Sequence, residues 1–165
     1  VLNHFTFAVF IIIIIVLSMF ALSGCKSKKR VSAPTVEEKV IVKLSTNEVV
    51  NAQKNKAYEV GKRVLMNCTT SKFKPFNSSE ATPKVIENTT QVRLTKTCLK
   101  FRLKYGDFKD LQLIEVIQNK TDKINIFRYK AKYEKKIANK ELRVTMNEEN
   151  KVSAISSKDW VDVYK

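Results

Sequence analysis

The sequence INIFRYKAKYE, residues 124–134, is the stretch that decides the fold of this chain. Along it, apolar or aromatic side chains alternate with basic ones. A period of two residues places successive side chains on opposite faces of a β-strand. We therefore expect a strand with one buried face and one basic, outward face. The rings on the buried face are Phe127, Tyr129 and Tyr133.

Three further strands are expected around this one, at residues 111–118, 141–147 and 152–157. Each has apolar side chains in strand-like spacing, and the links between them are short and rich in turn residues. Strands joined so closely must be antiparallel neighbours. The C-terminal half therefore predicts an antiparallel sheet of about four strands, whereas residues 36–44 fit either a short strand or the start of a helix.

Helical patterns precede the sheet. Ser45-x-x-Glu48 has the spacing of a capping box, and the apolar residues after it share one helical face, which predicts a helix over 47–68. Thr82-Pro83 is a typical helix start, and helical spacing then continues to residue 105 with one break near 88–91. Gly106 occupies the place of a C-terminal capping glycine. Helices followed by an antiparallel meander indicate an α+β domain, which we place at residues 45–165.

The charge of the chain is strongly positive. It has 31 Lys and Arg against 16 Asp and Glu, a formal net charge of +15, and every charged residue follows position 24. Such a surplus favours anionic partners, such as lipid headgroups or an envelope polymer. Solubility and non-specific attraction to an anionic envelope explain the same surplus, and we favour them because the charge is spread along the chain.

Seven bases fall around one predicted hairpin of the sheet. A polyanion could dock there, but a solvated strand face accounts for them equally simply, and we favour the second interpretation. The aromatic rings alternate with these bases and so face the other way, which argues against a platform for single-stranded nucleic acid. The seven are Arg128, Lys130, Lys132, Lys135, Lys136, Lys140 and Arg143.

The N-terminal residues have the pattern of an export signal. An apolar run over residues 5–22 is followed by Leu22-Ser23-Gly24-Cys25, which resembles the bacterial lipobox. The resemblance implies that residues 1–24 are a lipoprotein signal peptide and that Cys25 is acylated. Two or three acyl chains on one residue anchor a protein stably. Residues 25–44 would then be the lipidated cysteine and a basic tether, with the lipid membrane as partner.

An uncleaved membrane anchor is the competing interpretation. Residues 5–22 are just long enough to span a bilayer, the residues before them carry no fixed charge, and four bases follow within residues 26–30. The positive-inside rule would then place the domain in the cytoplasm. We favour the lipoprotein, because the tetrad lies directly after the apolar run. We expect a bacterial cell-envelope location, on the outer membrane and facing the periplasm.

Two cysteines remain after Cys25 is assigned. In an oxidising compartment Cys68 and Cys98 could form a disulfide, and two separate buried thiols are the alternative. His4 is the only histidine and lies in the leader, so the remainder has no histidine base, triad or metal ligand. We expect no metal, no cofactor and no enzymatic activity.

The order of elements resembles the cystatin-like architecture of the nuclear transport factor two superfamily. The resemblance covers about residues 47–160 and lies in Lys104-Tyr105-Gly106-Asp107-Phe108, in the basic-aromatic strand and in the final strands before Trp160. It implies a sheet curved around the helices and a cone-shaped pocket. The possible lining of that pocket is Phe101, Tyr105, Phe127, Tyr129 and Tyr133. The alternative, which we favour, is that these rings form the core.

The function that follows is a membrane-anchored envelope lipoprotein acting as a small non-enzymatic binding module. Its partner could be an anionic envelope polymer, a protein or a second copy joined through the sheet. One alternative is a small-ligand binder or isomerase-like enzyme using the cone pocket, for which Asp107, Asp110 and Glu115 are the nearest acids. Another is an immunity-type lipoprotein that inhibits a partner.

Overall fold

A computed structural model describes residues 40–45 and 47–164 of the chain, and the predicted signal peptide and most of the predicted tether lie outside these residues. The described part is an α+β domain, which confirms the predicted class. Five strands form one antiparallel sheet in the order β1-β2-β3-β4-β5, and the helices pack on it. The elements are β1 (Ile41–Leu44), α1 (Asn51–Thr70), α2 (Pro83–Asn88), α3 (Gln91–Tyr105), β2 (Phe108–Asn119), β3 (Ile124–Tyr133), β4 (Lys140–Met146) and β5 (Val152–Asp159).

The sheet has five strands rather than the predicted four. The additional strand is β1, which pairs antiparallel with the end of β2 through partners such as Ile41 with Asn119. The sequence pattern of residues 36–44 fitted two kinds of element because its partner lies more than seventy residues away. Long-range pairing of this kind selected the strand.

Helix α1 begins at Asn51, four residues later than the sequence predicted. Half of the expected capping box is present, since the Ser45 amide donates to Glu48 Oε2 at 2.7 Å. That bond, however, closes a turn ahead of the helix, and Val50 is the residue at the N-cap. The backbone hydrogen bond from Ser45 also lowers the pKa of Glu48.

The break predicted near residues 88–91 is confirmed. Helix α2 starts at Pro83 and ends at Asn88, and α3 starts at Gln91 after Thr90, whose Oγ1 accepts a hydrogen bond from the Arg93 amide. Gly106 ends α3 with φ of 77°, a conformation that glycine adopts at little cost, as the sequence predicted.

The central strand β3 has the two faces that its sequence predicted. Its inward side chains face the helices, with Phe127 paired between Val116 of β2 and Val144 of β4. All three are fully buried and lie in the core. Bulges within β2 shift its register against β3 at two places. Such bulges change which face of the sheet the following side chains take, and they bend the strand.

Gly61 is where α1 comes closest to the sheet. A Cβ there would lie 2.8 Å from Leu142 Cδ2 and 3.0 Å from Leu111 Cδ1. Gly61→Val should therefore lower the free energy of unfolding by about 1–3 kcal/mol, as overpacking of a core does. Chemical denaturation measures the loss, with Glu59→Val at an exposed position of α1 as the matched control. Equal losses in the two variants would contradict the close contact.

Candidate functional site

The structure divides the five predicted pocket residues between two places. Phe101 and Tyr105 of α3 meet Tyr133 of β3, with ring centroids 5.6–6.3 Å apart. Phe127 and Tyr129 lie further along β3 and are almost completely buried in the core. The five rings therefore do not line one common cavity.

Two phenolic hydroxyls of this set are buried without a hydrogen-bond partner among the described atoms, those of Tyr129 and Tyr133. Burial disfavours the phenolate, so it raises the pKa of Tyr133 to about 12 and raises that of Tyr129 further. Neither group would donate a proton readily near neutral pH. Tyr129 lines a separate open cavity of about 320 Å³ beside Tyr58 and Leu113, which none of the other four rings reaches.

A cleft of about 200 Å³ lies beside this cluster, between α1, α3 and the strands β4 and β5. Phe101 is the one predicted pocket residue that lines it. Hydroxyl and amide groups also reach it, from Asn88, Thr89, Thr97, Ser156 and Ser157. The apolar side chains that line it are Val64, Leu65, Leu94, Phe101, Leu142 and Ile155.

The two cysteines also line this cleft, and their sulfur atoms are bonded to each other. Cys68 lies near the end of α1 and Cys98 in the middle of α3, so the disulfide joins the two helices that form the cleft walls. The bond fixes the spacing of those walls, because α3 packs mainly against α1 and buries only Cys98 and Tyr105 of its own residues.

The chemistry of the cleft suits an apolar group. None of its lining residues is ionisable once the cysteines are bonded. Its volume is below the roughly 300–1,000 Å³ of typical small-ligand sites. A side chain or a short aliphatic segment would fit, whereas the cleft walls supply no acid or base for proton transfer.

The acids nearest the predicted pocket mouth are engaged elsewhere. Asp107 pairs with Arg102 Nε at 3.1 Å, and Asp110 accepts a 2.7 Å hydrogen bond from the Tyr58 hydroxyl. Glu115 points to the face of the sheet that is turned away from the helices. The structure therefore does not bring the three carboxylates together.

That outer face corrects the prediction of a solvated basic strand. Arg128 has no exposed side-chain area, and Arg143 has little, because Glu115 and Glu141 lie between and beside them. Lys43 adds a further pair with Glu115 at 2.8 Å. Positive and negative side chains alternate along this row, so two of the seven predicted surface bases belong to a buried ion-pair network.

The other five bases of that set remain partly or fully open. Lys130, Lys132, Lys135 and Lys136 are exposed. Lys140 is half-buried, where its ammonium pairs with Asp159 and lies 5.6 Å from the ring centroids of Phe101 and Tyr105. The hydrogen bond from Lys140 lowers the pKa of Asp159.

The C-terminal segment 160–164 covers the ion-pair network. The Arg128 guanidinium lies 4.8 Å from the Trp160 ring and donates to the Val161 carbonyl oxygen at 2.8 Å. The Tyr164 ring lies 4.6 Å from the Arg143 guanidinium. Sequence analysis missed this cover, because a period of two indicates which face a side chain takes but not which later residues fold over it.

A second, polar cleft of about 280 Å³ lies between the first turn of α1, the turn that joins β2 to β3, and the end of β4. Asn125 Nδ2 donates to Gln53 Oε1 at 2.7 Å, and Gln53 Nε2 donates to the Asn147 carbonyl oxygen at 3.4 Å. Lys123 pairs with Glu148 at its rim. Because its polar groups bond mainly to each other, we regard the apolar cleft as the candidate site.

Comparisons with known proteins found no family model, no curated protein and no solved structure that matches this chain. Within residues 40–45 and 47–164, no group of three or more His, Cys, Asp or Glu side chains could hold a metal ion. No helix in that part of the chain is both long and apolar enough to cross a bilayer.

Proposed function

We propose that this chain is an exported bacterial lipoprotein, anchored through acylated Cys25, whose domain is a small non-enzymatic binding module. The observation that carries the proposal is the Cys68–Cys98 disulfide, which lies downstream of the Leu22-Ser23-Gly24-Cys25 tetrad. Structural disulfides persist in oxidising compartments and are rare in the cytoplasm. A domain stapled in this way fits an envelope location better than the cytoplasmic location of an uncleaved anchor.

The chemistry of the apolar cleft supports binding rather than acid–base catalysis. Its walls are apolar with a rim of hydroxyl groups, and the candidate acids Asp107, Asp110 and Glu115 are paired outside it. A hydrophobic side chain of an envelope protein is the occupant that its size and polarity suit. An anionic envelope polymer remains a second class of partner, because the surplus of bases is large.

The domain's element order also supports a place among cystatin-like domains of the nuclear transport factor two type. Helices α1 to α3 precede a four-stranded meander, and Gly106 ends the last helix ahead of the long strand β2. In this proposal the apolar cleft corresponds to the cone pocket, reduced in volume by the Cys68–Cys98 bond between its walls.

Lipid attachment can be tested by growing bacteria that express the chain with an alkyne-bearing fatty acid. The wild-type chain and the neighbouring Ser27→Ala control should incorporate the label, and Cys25→Ser should lose it, because only Cys25 offers the thiol that the lipobox presents. Gel fluorescence after coupling to an azide dye measures incorporation. Equal labelling of Cys25→Ser, or no labelling of the wild type, would refute the proposal.

A further inference from the structure

Helix α3 carries an apolar ridge that no part of the described domain covers. Val92, Leu99 and Leu103 are 68%, 62% and 72% exposed. With 3.6 residues per turn their directions fall within about 40° of each other. The buried residues Cys98 and Tyr105 point to the other side of the helix. The ridge therefore faces outward, away from the body of the domain.

The same helix is basic and has no acidic residue. Its fifteen residues, QVRLTKTCLKFRLKY, contain five bases and neither Asp nor Glu. All five are exposed; four of them lie along one side of the ridge, and Arg102 lies on the other. Arg102 pairs with Asp107, which lies beyond the end of the helix. The bases are Arg93, Lys96, Lys100, Arg102 and Lys104.

The loop between β3 and β4 extends this surface. Lys135 Nζ donates to the Leu103 carbonyl oxygen at 3.1 Å, which fixes the loop beside the end of α3. Ile137 in the same loop is 68% exposed, and Lys136 is exposed beside it. An open groove of about 550 Å³ runs between Leu99 and Leu103 on one side and Glu134 and Lys135 on the other.

We propose that this face of α3, with the adjoining loop, docks on an anionic lipid bilayer. Apolar side chains between flanking bases are the combination by which surface helices bind membranes. The ridge enters the boundary between headgroups and acyl chains, and the bases meet anionic headgroups. This inference rests on the proposed anchoring, which would hold the domain at a membrane. The segment from Cys25 to Val40 reaches at most about 50 Å when extended.

Charge and composition favour lipid over other occupants of this face. The cores of protein–protein interfaces are depleted in lysine, and α3 presents three lysines around its ridge. Binding of single-stranded nucleic acid needs stacking rings beside the bases, but Phe101 and Tyr105 point inward, toward Tyr133. An anionic bilayer uses both the apolar ridge and the bases.

The test uses the full chain reconstituted in vesicles, with a diazirine-bearing leucine analogue replacing Leu99 or Leu103. The control replaces Val163, which is 71% exposed and belongs to the segment that covers the opposite face of the sheet. These positions are exposed, so the replacements should leave the fold intact. Mass spectrometry after irradiation counts phospholipid adducts at each position.

In vesicles of equal parts phosphatidylglycerol and phosphatidylcholine, we expect adducts at 99 and 103 at about five times the yield at 163. The yield should fall several-fold in phosphatidylcholine alone and in the double variant Lys96→Glu/Lys100→Glu. Equal yields at 103 and 163 would overturn the inference, and so would equal yields in the two kinds of vesicle. The same crosslinking in whole cells would overturn it if the adducts formed with a polypeptide instead of lipid.

The state of the anchor is determined separately, from the mass of the same protein before irradiation. An acylated chain and an uncleaved chain both hold the domain at the vesicle surface, so the crosslinking result does not depend on which of them is present. Failure of the proposed lipidation and failure of the docking are therefore distinguishable.

Discussion

Replacing Arg128 by methionine should lower the free energy of unfolding by about 3–5 kcal/mol, the largest single-residue effect we expect in this domain. The Arg128 side chain is fully buried between Glu115 and Glu141, and it also donates to the Val161 carbonyl oxygen. Methionine would leave two buried carboxylates with only part of their compensation. It would also remove the guanidinium group against which the Trp160 ring packs.

Denaturant unfolding followed by circular dichroism measures this loss. The matched control is Lys132→Met, which removes an exposed base from the outward face of the same strand and should change stability by less than about 0.5 kcal/mol. Similar stabilities for the two variants would show that the network under segment 160–164 contributes little.

The pH dependence of the free energy of unfolding tests the ion pair between Arg128 and Glu115 independently. Burial alone would raise the pKa of Glu115, but hydrogen bonds from Lys43 and Arg128 outweigh it and hold the pKa below its ordinary value. A carboxyl with a lowered folded-state pKa contributes stability above its unfolded pKa of about 4.3 and loses it as the pH falls through the folded value. Arg128→Met weakens this contribution. The difference in free energy of unfolding between the wild type and Arg128→Met should therefore decrease as the pH falls from 7 towards 3.

Breaking the Cys68–Cys98 bond is the second change with a large expected effect. The disulfide closes a loop with a sequence separation of 30 residues. The chain-entropy model gives about 3.5 kcal/mol for a loop of this length. The double variant Cys68→Ser/Cys98→Ser should therefore unfold at markedly lower denaturant concentration than the oxidised wild type. Because the bond joins α1 to α3, the cleft between them should also become more accessible to solvent.

Two measurements separate this effect from the cost of replacing buried sulfur by oxygen. Reduced wild-type protein should lose a similar amount of stability without any substitution, and the reductant should not affect the double variant. If reduction changes the free energy of unfolding by less than about 1 kcal/mol, the bond does not stabilise the packing of α1 on α3 as we describe.

Local patterns in the sequence were enough to predict most elements of the fold. The alternation in residues 124–134 predicted β3 and its two faces, and Thr82-Pro83 and Gly106 marked a helix start and a helix end that the structure confirms. These signals act within a few residues of chain. The sequence left residues 36–44 open between strand and helix and placed the start of α1 four residues early. In these two places, pairing at long range or a competing turn decided the conformation.

The buried ion-pair network on the outward face of the sheet was less predictable than the strands that carry it, for a physical reason. The alternation correctly placed Arg128 on the outward face of β3. Whether an outward base meets water or a carboxylate depends on its cross-strand neighbours, and here Glu115 lies opposite it. The acidic residues at outward positions of β2 and β4 were the signal that could have indicated a buried network. The cover by Trp160 and Tyr164 had no local signal at all.

The central claim, an exported and lipid-anchored module, is tested most directly by the intact mass of the wild-type protein purified from bacterial membranes. The account predicts a chain that begins at Cys25, carries the mass of two or three acyl chains, and lacks the two hydrogens removed by the Cys68–Cys98 bond. A chain that retains residues 1–24, bears no acyl group and has both thiols free would contradict it.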